Sequence, residues 1–126
     1  MMPLLFLAAA SADLDALDQA VARCDREAAN PAFSGEAARR SQFLLDAYRE
    51  QEGIVADRLA LADRRRELRE AGPVRASAEK QLQLQDAAIE DRQKALNDKR
   101  MLEGIRQDAM DNMRRYFLTN CPAGSH

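Results

Sequence analysis

The sequence predicts an all-α fold: a long antiparallel helical hairpin, coiled-coil-like, with a short N-terminal helix packed at the open end. Three observations predict it. Two long segments each carry apolar residues at a spacing of seven. A Gly72-Pro73 pair separates them. Runs of Val, Ile and Thr with a period of two, the mark of half-buried strands, are absent from the sequence.

The first helix is expected over about residues 13–29. Ser11 or Asp13 is placed to cap it, and Asp13 and Asp15 suit its positive end. Leu14, Leu17, Val21, Cys24 and Ala28 form one apolar stripe. Asn30-Pro31 is expected to end it, because proline disfavours helical geometry in the residue before it. Ser34 then caps a second helix over about 35–71. Its stripe is Ala47, Ile54, Leu61 and Leu68, while the neighbouring row of Leu44, Gln51, Arg58 and Arg65 is mostly polar. Such a narrow seam belongs to a coiled coil rather than to a wide globular face. Gly72 supplies the left-handed cap and Pro73 blocks continuation.

The third helix is expected over about 74–119, starting at Pro73 itself or after Ser77. Leu82, Ile89, Leu96, Met110 and Phe117 line it, with Glu103 the one polar interruption. Each long helix would extend about 55–65 Å at the α-helical rise. Pairing Leu68 with Leu82, Leu61 with Ile89 and Ile54 with Leu96 keeps a constant index sum, which puts the turn centre near residue 75. The same register brings Cys24 and Cys121 to one end within about a helical turn, so a Cys24–Cys121 disulfide is expected. The alternative is two buried free thiols on apolar stripes.

Residues 1–12 carry no charged side chain and read Pro3-Leu-Leu-Phe-Leu-Ala-Ala-Ala10 before Ser11-Ala12 and acidic Asp13. This is the pattern of a signal-peptide apolar region with cleavage after Ala12, and is too short to span a bilayer as a helix. Residues 13–126 then form a single helical domain in a periplasmic or secreted protein. If the segment is retained, it is an apolar arm and the protein is cytoplasmic. Val21-Ala22-Arg23 before Cys24 lacks the small residues of a lipoprotein cleavage box.

With 32% charged residues and a formal net charge of -2, the chain lacks the basic excess of a general nucleic-acid binder. The only histidine is His126, which removes histidine-based triads and metal sites, and no phosphate-binding glycine motif is present. No cofactor or metal is expected, and no enzymatic activity. Two surfaces remain. The turn is basic: Arg58, Arg64, Arg65, Arg66, Arg69, Arg75 and Lys80 outnumber four acids, a candidate contact for an anionic surface or an acidic partner. The other reading is a solvated helix end. Phe33, Phe43, Tyr48, Tyr116 and Phe117 cluster at the opposite end, as a core where three helices meet or as a binding nook. Leu59 and Leu84 lie off the main stripes and are candidates for a homo-oligomer face.

The expectation is a non-enzymatic exported protein acting by protein–protein contact in the cell envelope, as scaffold, adaptor or holdase-like chaperone. Its architecture resembles that of periplasmic holdase chaperones built on coiled-coil hairpins. Those also carry a strand-containing body and a more basic charge, which this chain lacks. A small secreted inhibitor of one enzyme and a cytoplasmic coiled-coil structural protein are the alternatives.

Overall fold

The computed structural model describes residues 13–73 and 75–123. The signal-peptide expectation for residues 1–12, the C-terminal His126 and Val74 lie outside the described residues. Three helices and no strand appear among the described residues: α1 over residues 13–22, α2 over Arg26–Glu70 and α3 over Ala76–Asn120. The two long helices pack against each other as an antiparallel hairpin, and α1 contacts both.

The corner between α1 and α2 corrects the expected boundary. The helix predicted to run to residue 29 stops at residue 22, and α2 starts at Arg26, not at residue 35. Backbone hydrogen bonds show why. Cys24 N–H donates to the Val21 carbonyl and Asp25 N–H to the Ala20 carbonyl, at 3.1 and 2.8 Å. That crossed pair is a Schellman closure, which needs a left-handed residue at its centre. Cys24 takes that role with φ 54°, a conformation usually left to glycine. Asp25 then caps α2: its side chain accepts from Ala28 N–H at 3.2 Å and its carbonyl from Ala29 N–H at 2.9 Å.

Pro31 therefore sits inside α2 rather than ending a helix. It lies beyond the first four positions, whose N–H groups are free in any helix, so it withholds a donor from the Glu27 carbonyl. Burial of Ala29, which is 0% exposed, holds this segment helical against that local cost. Ser34, expected as an N-cap, instead donates back to the Pro31 carbonyl at 3.3 Å. Pro31→Ala is expected to stabilise the protein by about 1–2 kcal/mol, because it restores the donor at an exposed position. A thermal melt checks this; a lowered melting temperature would mean that ring packing outweighs the missing bond.

The hairpin turn lies where expected. α2 ends at Glu70, and Gly72 adopts φ 118°, a backbone conformation side-chain-bearing residues rarely reach. Glu79 N–H donates to the Arg75 carbonyl at 3.0 Å, so α3 is capped at Arg75 and begins at Ala76 rather than at residue 74.

The described chain divides into two compact units. Among the described residues, the first, the disulfide unit, comprises 13–41 and 103–123. The second, the turn unit, is Gln42–Leu102. The α3 stripe is broken at Glu103, and its buried residues fall into two clusters accordingly. In the turn unit Ala47, Ile54 and Leu61 pack with Leu82, Ile89 and Leu96, and Phe43 and Leu68 cover them. In the disulfide unit Leu17, Val21 and Ala29 pack with Met110, Phe117 and Cys121.

Candidate contact surfaces

Cys24 and Cys121 form a disulfide with Cα atoms 5.4 Å apart, inside the usual range. It ties the corner after α1 to the end of α3. Arg26 reinforces that end. Its guanidinium donates to the Cys121 carbonyl and lies 5.4 Å from the centre of the Phe117 ring. A cation there answers the negative end of α3, whose own last turn carries no basic residue. The Arg26 Nε is buried and has no hydrogen-bond partner among the described residues.

The aromatic residues divide. Phe33 packs on the core residue Phe117 with ring centres 5.7 Å apart and planes tilted by 46°, as expected of an end where three helices meet. Phe43 packs on the other cluster, in the turn unit, while Tyr48 and Tyr116 are exposed. The five therefore form no common nook. A separate open groove of about 410 Å³ lies in the disulfide unit. Leu14, Leu17, Ala32 and Met110 line its apolar wall together with Arg106, whose buried Nε has no partner among the described residues.

A charged cluster that the sequence reading missed also belongs to this unit. Arg39 spans two carboxylates, donating to Glu103 at 2.8 and 2.9 Å and to Glu36 at 2.6 to 3.2 Å. Arg40 holds Glu36 at 3.0 Å and Asp111 at 2.9 Å, and Gln107 donates to Glu103 at 2.9 Å. Both glutamates are buried. Burial opposes their ionisation, but the hydrogen bonds from Arg39 and Arg40 to Glu36, and from Arg39 and Gln107 to Glu103, outweigh it. Both carboxyls lie below their ordinary value. The Arg39 guanidinium is held more firmly protonated, chiefly by its bonds to the same two carboxylates. Two signals were legible: the Glu36-Arg39-Arg40 spacing of three and four, and a glutamate inside an apolar stripe.

The polar rows beside the seam are used within the turn unit. Gln51 and Gln93 exchange amide hydrogen bonds at 2.8 and 3.0 Å, and Arg100 donates to Gln51 at 3.1 Å. On the other flank Arg92 reaches Glu50 at 3.2 Å and also bonds Asp57. Its path crosses Gly53, where a Cβ would stand 3.3 Å from the Arg92 guanidinium. Gly53 is thus space for a cross-helix arginine, which explains a glycine in mid-helix.

The seven basic residues near the turn divide into paired and unpaired ones among the described residues. Arg58 pairs with Glu90 at 3.0 Å, Arg65 with Asp86 at 3.7 Å and Arg66 with Asp63 at 3.1 Å. Arg64, Arg69, Arg75 and Lys80 are exposed and carry no ion pair among the described residues. Arg64 and Arg69 are five residues apart, so they point to different sides of α2. The turn unit also exposes large apolar side chains on both long helices. Leu44, Tyr48, Leu59, Leu84 and Met101 are each more than 60% exposed.

Among the described residues no helix is long and apolar enough to cross a membrane, and no cluster of three acidic, Cys or His side chains is placed to hold a metal ion. Comparison with protein-family models, with curated proteins and with solved structures returns no match.

Proposed function

We propose that this chain is an exported, non-enzymatic protein that acts by protein–protein contact in the cell envelope, as scaffold, adaptor or holdase-like chaperone. The observation that carries the reading is the set of large apolar side chains left open to solvent on the turn unit. Isolated exposed leucines are ordinary, but several on one short hairpin segment mark a contact surface. The Cys24–Cys121 disulfide is consistent with an oxidising compartment, which an export signal in residues 1–12 would supply. The exposed cations Arg64, Arg69, Arg75 and Lys80 add attraction for an acidic partner or an anionic surface.

Two measurements test it together. Fractionation and N-terminal sequencing of protein from cells are expected to find the chain outside the cytoplasm and starting at Asp13. The purified, disulfide-bonded protein is expected to suppress aggregation of an unfolded client at equimolar ratio, or to crosslink to envelope proteins through the turn unit. Retention of Met1 in the cytosol sinks the export half. Crosslinking to a single stoichiometric enzyme would instead favour the inhibitor reading.

A further inference from the structure

We propose that the chain binds a second copy of itself, antiparallel, through the α2 face that carries Leu44, Tyr48, Val55 and Leu59. All four are exposed, at 66, 64, 45 and 63%. At about 100° per residue they fall within an arc of roughly 60° on one helix face. They belong to one compact unit and to one uninterrupted helix.

The spacing selects the occupant. From Leu44 the intervals are four, seven and four, which read the same in both directions. A pattern of that kind is self-complementary under a two-fold axis. With the axis between Gln51 and Glu52, Leu44 meets the partner's Leu59 and Tyr48 meets the partner's Val55. The reciprocal contacts follow from the symmetry. The charges agree with this register. Arg49 and Glu52 flank the stripe on one side and are exposed, and neither has an ion pair among the described residues. Antiparallel pairing sets Arg49 beside the partner's Glu52, twice. Parallel pairing would set this flank against the partner's opposite flank, where Gln51 and Arg58 lie, and Arg49 would not meet Glu52. The opposite flank is already engaged, because Gln51 and Arg58 bond Gln93 and Glu90 of α3.

The interface is one helix face. Stable interfaces bury about 1,200–2,000 Å², so a contact at the low end gives self-association in the micromolar range. The inference goes beyond the proposed function, since it stands whether or not the protein is exported or holds clients.

Analytical ultracentrifugation of the disulfide-bonded chain tests it, over about 5 to 500 µM, a range that brackets a micromolar constant. The expected result is a monomer–dimer equilibrium. Leu59→Asp is expected to leave only monomer, whereas Leu84→Asp, exposed but off the stripe, leaves the dimer unchanged. Arg49→Glu is expected to weaken dimerisation about tenfold or more by setting like charges across the axis, and Arg49→Glu with Glu52→Arg to restore it. Circular dichroism of each variant confirms that α2 is intact. A monomer at every concentration overturns the proposal. So does a dimer indifferent to Leu59→Asp, or one that Arg49→Glu weakens and the charge swap fails to rescue.

Discussion

Reducing the Cys24–Cys121 disulfide is expected to lower the melting temperature by on the order of 15–20 °C. The bond closes a loop with a sequence separation of 97. In the chain-entropy model, a loop that long constrains the unfolded state by about 4–5 kcal/mol. A helical chain with two small core clusters has a total stability of about 10 kcal/mol, so the loss is a large share. The effect should be local as well as global. α1 is short and is held by the burial of Leu17, Ala20 and Val21 together with the bridge just beyond its end. Amide exchange in residues 13–22 should therefore accelerate first on reduction. A shift below about 5 °C would refute the chain-entropy account, because it corresponds to about 1 kcal/mol for a chain of this size.

A pair of variants separates the bridge from the backbone at Cys24. Cys24→Ala with Cys121→Ala removes the bridge and keeps a side chain at φ 54°. Cys24→Gly with Cys121→Ala removes the bridge and relieves the left-handed conformation. The glycine version is expected to be the more stable of the two by about 1 kcal/mol. Equal stability would mean that the corner relaxes once the bridge is gone.

The parts of the fold that could be read in advance are those fixed by burial. Ile54, Leu61, Leu82, Ile89 and Leu96 recur every seven residues because positions at that spacing are buried between the two helices. Their register then placed Cys24 and Cys121 together without any knowledge of the corner. The corner itself was hidden, because its left-handed residue is a cysteine rather than a glycine. Pro31 misled for a related reason: tertiary burial of Ala29 and its neighbours overrides a local preference worth a few kcal/mol. Among the contact surfaces, counting charges near the turn finds seven cations, but not that Arg58, Arg65 and Arg66 are already paired. Pairing depends on which side chains meet across the helices, and a linear count does not contain that.

The same limit hid Arg39, whose replacement by methionine is expected to cost about 2–3 kcal/mol at pH 7. Breaking a buried ion pair costs about 3–5 kcal/mol, and the figure is reduced here because Arg39 is itself partly open to solvent. Glu103 loses both guanidinium bonds and keeps only Gln107, while Glu36 keeps Arg40. Two buried carboxylates are then left close to each other with less compensation. The pH dependence should change with it. In the native protein both carboxyls sit below their ordinary value, so their contribution is fully present above the unfolded carboxyl pKa of about 4.3. It is lost as the pH falls through the lower, folded values. The native melting temperature should therefore be flat from neutral pH to about 5 and fall below about 4. In Arg39→Met, burial acts on Glu103 with little opposition and raises its pKa, so acidification from neutral pH should stabilise the variant. The gap between the two proteins is widest at pH 7 and narrows toward pH 4. Adding Glu103→Leu should recover most of the loss, because an apolar residue completes the stripe with Leu96 and Met110. A gap that stays constant with pH would show that Arg39 acts through packing alone and not through the carboxylates it bridges.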